Sequence, residues 1–102
     1  MNTNQLEKFL KQKIEHAKIE IIGESVLKRP IYAISFDFAQ EKSVIIQGAI
    51  HAREHITCNL LCKMISELSV NFEKYKKLKT PNIVFVPLSN PDGASLVTDG
   101  LK

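Results

Sequence analysis

The sequence predicts an α/β fold built around a mixed sheet. Three observations carry that expectation. A β-branched run at residues 43–47, a helix-periodic run at 56–72 and a second β-branched run at 83–86 follow one another, the pattern of a right-handed parallel crossover. Upstream, two strand-like runs at 19–22 and 31–38 flank a turn containing proline, which suggests an antiparallel pair. An amphipathic helix precedes them both.

In chain order, Asn4 followed by Glu7 reads as a capping box at a helix start. Leu6, Phe9, Leu10, Ile14 and Ala17 recur at helical spacing, while Glu7, Lys8, Lys11, Lys13 and Glu15 take the other faces. His16, near the expected helix end, reads as a solvated or capping side chain. Ile19-Glu20-Ile21-Ile22 is a strand closed by Gly23, and Lys28-Arg29-Pro30 is a turn. In the next strand Tyr32, Ile34, Phe36 and Phe38 alternate with smaller or polar residues and mark one apolar face.

Ser43-Val44-Ile45-Ile46-Gln47 has no such alternation and is expected to be buried on both faces, with Gly48 ending it. Ile56, Leu60, Leu61, Met64, Ile65, Leu68 and Phe72 then give a helical period. Cys58 and Cys62 fall on that helix, as small buried apolar groups rather than a disulfide. Lys74, Lys76, Lys77 and Lys79 read as a solvated helix end that complements the dipole, and Pro81 stops the helix. Residues 83–86 form another buried strand, and Asn90-Pro91-Asp92-Gly93 is a turn. A sheet that ends after one crossover is expected to leave the edge of its last strand unpaired.

A chain of 102 residues holds one domain at most. Its composition, 44% hydrophobic and 25% charged, is that of an ordinary globular chain. A net charge of +3, scattered along the chain, argues against a nucleic-acid partner. No apolar run approaches the length of a membrane span, and the charged start lacks the apolar core of a signal peptide, so a cytoplasmic chain is expected.

Chemistry concentrates in Gly48-Ala49-Ile50-His51-Ala52-Arg53-Glu54-His55-Ile56. Two imidazoles, a carboxylate and a guanidinium occupy five positions where an apolar run ends. Such groups are costly to desolvate without a partner, and a divalent metal is one, since imidazole and carboxylate are both zinc ligands. His51 follows a predicted strand and Glu54 falls at a helix entry, where ligands of open α/β sheets gather. The same letters also spell H-x-x-E-H, in which His51 and His55 would bind metal from one continuous helix and Glu54 would act as base. The strand and Gly48 just upstream favour ligation by His51 and Glu54. Spacing alone leaves metal binding and no binding both open.

The stretch from Gly48 to Glu54 resembles the zinc-binding signature of the M14 zinc carboxypeptidase family. Arg29-Pro30-Ile31-Tyr32 is similar to a strand opening upstream in that family, and Val86-Pro87-Leu88-Ser89-Asn90-Pro91-Asp92-Gly93 to its downstream strand and N-P-D-G turn. The resemblance covers about residues 20–93, with its three motifs in order. It implies the N-terminal part of a zinc-carboxypeptidase-like α/β/α fold with a mixed sheet, truncated, so that residues 1–102 are a partial catalytic domain. It implies His51 and Glu54 as Zn2+ ligands, Arg53 as a residue lining substrate subsites, and a peptide with a free C-terminus as substrate. The implied reaction is hydrolysis at that terminus, with zinc polarising the scissile carbonyl and lowering the pKa of water.

Several family parts have no counterpart in the sequence. No histidine follows His55 to supply a third ligand, and Asp99, the one acidic residue beyond Asp92, has no matching context for a general base. His55 stands where relatives commonly carry an aromatic residue. The chain is therefore expected to be inactive alone, completed by a C-terminal half, or else to act as a non-catalytic zinc-binding or protein-interaction module.

Overall fold

The computed structural model describes residues 1–12, 14–50 and 55–94. The elements run α1 (Thr3–Leu10), β1 (Ala17–Glu24), β2 (Pro30–Phe36), β3 (Ser43–Gln47), α2 (His55–Val70), α3 (Phe72–Lys77) and β4 (Asn82–Val86). The four strands form one mixed sheet in the order β1-β2-β4-β3. β1 and β2 pair antiparallel, as do β2 and β4, while β3 lies parallel to β4. Both the antiparallel pair and the parallel crossover are thus present. Among the described residues no helix is long and apolar enough to cross a membrane.

Register explains which face is filled. Ile34 lies opposite Phe85 and Phe36 opposite Ile83, and in turn Ile46 opposite Phe85 and Val44 opposite Ile83. Strand side chains alternate between faces, so these residues share one. Leu61, Ile65 and Leu68 of α2 pack onto it, with Phe9 and Leu10 of α1 and Phe72 and Tyr75 of α3 alongside. Phe36 meets Phe85 edge-on at 6.1 Å between ring centroids, and Phe38 stacks on Phe72 at 4.8 Å. The opposite face carries Ser35, Val84 and Ile45, the last 67% exposed.

Three expectations about the strands are corrected. β3 is not buried on both faces: it is an edge strand, with Val44 41% exposed. Among the described strands the unpaired edges belong to β3 and β1 and not to β4, the last strand described, which inserts between β2 and β3. A β-branched run reports a strand's suitability for burial, whereas strand order decides whether anything covers it. β1 runs through Gly23 to Glu24 rather than closing there, with a register shift between Ile21 and Gly23. Gly23 therefore marks a bulge and not a strand end.

The helices shift in smaller ways. α1 starts at an Asn2 cap: the Asn2 side chain accepts from the Gln5 N–H, and Gln5 Oε1 accepts from the Asn2 N–H. The box expected at Asn4 and Glu7 is displaced by this pair of identical spacing. Glu7 instead accepts the Tyr32 hydroxyl proton, which fastens α1 to β2. That hydrogen bond, with burial and the Glu7 charge, pushes the Tyr32 phenol up to about 12. α1 ends at Leu10, so Ile14 lies outside it and Ala17 opens β1. His16 takes the left-handed region at φ 66° and stacks on Phe72 at 4.4 Å. The long predicted helix is broken between Val70 and Phe72 into α2 and α3.

The loop between β2 and β3 is held by one side chain. Asn82 Oδ1 accepts from the Phe38 and Gln40 N–H groups, and its Nδ2 donates to the Gln40 carbonyl. Replacing Asn82 with alanine leaves those loop groups without partners. Urea denaturation of Asn82→Ala is expected to show a loss of about 1–3 kcal/mol.

Candidate functional site

β3 and β4 are adjacent and parallel, so their carboxyl ends open at the same edge of the sheet. Ligands of open α/β sheets bind beyond such ends. The loops leaving the two strands carry the two most chemically loaded segments of the sequence, 48–54 and 87–93.

Backbone hydrogen bonds join these loops past the last paired residues, Gln47 and Val86. The Gly48 N–H donates to the Val86 carbonyl at 2.9 Å, the Ser89 N–H to the Gly48 carbonyl at 3.1 Å, and the Asn90 N–H to the Ala49 carbonyl at 3.2 Å. The approach leaves no room for a side chain at position 48. A Cβ there would sit 2.9 Å from the Pro87 carbonyl oxygen and 2.9 Å from Leu61 Cδ1. Glycine is thus required by contact. Ala49 is buried and takes the left-handed region at φ 51°, a conformation costing a non-glycine residue on the order of 1 kcal/mol.

A further contact closes the base of the first loop. The Ala49 N–H donates to Thr57 Oγ1 at 2.7 Å, tying the residue just past β3 to the first turn of α2. Residues 51–54 connect Ile50 to His55, the first residue of α2, and lie outside the described residues. With them lie His51 and Glu54, the expected metal ligands, and Arg53, the expected substrate contact. The described flanks of that segment are the carboxyl end of an edge strand and the start of a helix. Imidazole and carboxylate suit zinc chemically. Among the described residues no group of three or more His, Cys, Asp or Glu side chains is arranged to hold a metal.

The second loop is built differently from the simple turn its sequence predicts. Residues 91–94 are helical, and Asn90 caps them: its Oδ1 accepts from the Gly93 N–H at 3.0 Å, and its carbonyl from the Ala94 N–H at 3.0 Å. Asn90 is a good cap, and Pro91 at the first helical position gives up a donor that would be orphaned anyway. Asp92 then reaches across to the loop between β1 and β2. Its carboxylate accepts from Ser25 Oγ at 2.7 Å, Arg29 Nη1 at 2.9 Å and the Leu27 N–H at 3.1 Å. Ser25 Oγ also accepts from the Arg29 N–H, so both ends of the hairpin loop converge on one carboxylate.

This clamp was not legible in the sequence. Ser25, Arg29 and Asp92 fall in two turn-like segments more than sixty positions apart, and no local period pairs them. Thr57 was missed for a related reason: a threonine in a helix's first turn gives no hint of which backbone group it will receive. Both contacts position loops rather than supply reacting groups.

Burial works against ionisation of Asp92, but the hydrogen bonds from Ser25, Arg29 and Leu27 and the Arg29 charge outweigh it and hold the carboxyl below its ordinary range. A depressed folded-state pKa stabilises the fold above the unfolded-state value, about 4, and that contribution is lost as pH falls through the lower folded value.

Known proteins resemble this arrangement throughout. The family model described as zinc carboxypeptidase matches residues 3–101. Uncharacterized protein YqgT of Bacillus subtilis (strain 168) is 34% identical over 89 residues, which cover 78% of this chain and 24% of that protein. Bovine thrombin-activatable fibrinolysis inhibitor, solved in complex with tick carboxypeptidase inhibitor, superposes with a TM-score of 0.71 at 19% identity, over 98% of this chain and 34% of that one. A metallo-carboxypeptidase from Burkholderia cenocepacia gives 0.71 at 22% identity, over 88% of this chain and 27% of that one. These likenesses show the fold. The chain spans from about a quarter to about a third of the length of these relatives.

Two predictions follow from the loop contacts. Asp92→Asn removes the charge that Arg29 faces, so the acid-side loss of stability seen in wild type below about pH 4 is expected to shrink, as read by thermal melts across pH. Thr57→Val leaves the Ala49 N–H without the hydroxyl it donates to, and urea denaturation is expected to show a loss of about 1–3 kcal/mol.

Proposed function

We propose, on the premise that this chain belongs to the zinc carboxypeptidase family, that it forms the metal-binding N-terminal portion of a zinc-dependent metallocarboxypeptidase acting on peptides with a free C-terminus. Membership rests on a family match across nearly the whole sequence. Its activity is the step proposed. One observation carries the reading: the described flanks of residues 51–54 are a loop after β3 that is bonded to the loop after β4, and the start of α2.

In this reading His51 and Glu54 hold zinc, and Arg53 lines the path of the substrate. Bound zinc would supply a Lewis acid for the scissile carbonyl and a water of lowered pKa. This chain's own part is to present an imidazole and a carboxylate from a loop anchored at both flanks, by Gly48 to the β4 side and by Ala49 to Thr57. The sequence holds no histidine after His55 and no candidate glutamate beyond Glu73. A third ligand and a proton-accepting glutamate would then come from a complementing C-terminal half. The exposed edge of β3, with Val44 and Ile45 uncovered, supports that part of the proposal, since such an edge is a template for another strand. A cytoplasmic setting belongs to the same reading.

Zinc titration of wild type, His51→Ala and Glu54→Ala tests the ligand pair. Each substitution is expected to weaken binding by at least roughly 10–100-fold, the loss typical of even an outer-shell partner. Equal affinity in all three would overturn His51 and Glu54 as the ligands. The 102-residue chain alone is expected to release no C-terminal residue from peptides. Chelator-sensitive release by this polypeptide would show that it carries its own third ligand and base.

A further inference from the structure

Cys58 and Cys62 are one helical turn apart on α2, so both side chains leave the same face. Met1 crosses over them. Cys58 Sγ donates to Met1 Sδ at 3.4 Å, and Cys62 Sγ lies 3.9 Å from the same sulfur. Both thiols, free and buried, thus lie within 3.9 Å of one thioether sulfur.

We propose that Met1, Cys58 and Cys62 form a three-sulfur site for a soft monovalent cation, Cu(I). A metal–sulfur bond of about 2.3 Å in a trigonal plane places its sulfurs about 4 Å apart, close to the Met1 separations. Two thiolates and a thioether are the soft set that suits Cu(I). Zinc in a structural site takes four ligands, and this cluster offers three. The buried members of the same cluster, Leu6, Ala49, Leu88 and Ala94, are apolar.

Oxidation is a poor alternative fate for the pair. Residues one turn apart on a helix have Cβ atoms about 5–6 Å apart, beyond the roughly 3.5–4.5 Å of a disulfide, so bridging them requires α2 to unwind. Access comes from the surface: Met1 and Cys62 line an open groove with Phe9, Asn59 and Lys63. Each thiol releases its proton to solvent as its sulfur binds the cation, leaving two thiolates, one thioether and one positive charge. The neighbouring Cys62 side chain lowers the Cys58 pKa, against the opposing effect of burial. This site uses none of the residues of the zinc reading.

The test is anaerobic titration of the 102-residue chain with Cu(I) held by a competing chelator, followed by copper-edge X-ray absorption on selenomethionine-labelled protein. One equivalent is expected to bind, with an ultraviolet thiolate-to-copper band and a shell of two sulfurs and one selenium. Met64 packs in the other core cluster and cannot supply that selenium. Cys58→Ser and Cys62→Ser are expected to lose the band, and Glu54→Ala to keep it. If either serine variant fails to fold, the wild-type absorption spectrum decides alone. No one-to-one complex, a copper shell of nitrogen or oxygen, or a shell without selenium would each overturn the proposal.

Discussion

The contact between Gly48 and the backbone at residues 86–89 is the constraint on which the site depends. It brings the loop after an edge strand within hydrogen-bonding distance of the loop after its central neighbour, and only a residue without a side chain permits it. Each loop is then fixed a second time by a different element. Thr57 of α2 secures the first through Ala49, and the hairpin loop between β1 and β2 secures the second through Asp92. The segment that carries His51 and Glu54 is therefore entered from a backbone that the rest of the fold over-determines. That over-determination is what allows Ala49 to sit in the left-handed region.

The sheet itself divides the labour. Aromatic residues on one face, Phe36, Phe38 and Phe85, meet α2 and α3 and supply the core. β1 contributes little burial, since all but its first residue are exposed. Its contribution is geometric: it returns the chain so that Ser25, Leu27 and Arg29 reach Asp92. A strand that adds little to the core thus still bears on the second loop, through a charged contact that acid weakens.

Much of this was legible in the sequence. Strand, helix and strand types came from periodicity, because burial on one face imposes period 2 on a strand and 3.6 on a helix. The N-P-D-G segment stood out as turn-forming, yet the same preferences that make asparagine and proline turn formers also make them a helix cap and a first helical residue. Long-range facts were not legible. The placement of β4 between β2 and β3 turned an apparently buried run into an edge, and no local pattern in 43–47 encodes strand order. The capping box shifted because Asn2 with Gln5 and Asn4 with Glu7 have the same spacing, and only the tertiary contact of Glu7 with Tyr32 tells them apart. His51 and Glu54 were expected as ligands from their chemistry and from a resemblance, and they fall outside the described residues.

Zinc-edge X-ray absorption on the zinc-loaded chain reads the central claim most directly. The account predicts a first shell of one imidazole nitrogen and one carboxylate oxygen completed by water, lost when His51 and Glu54 are both replaced by alanine. A sulfur shell, or a nitrogen and oxygen shell unchanged by that double substitution, would contradict it.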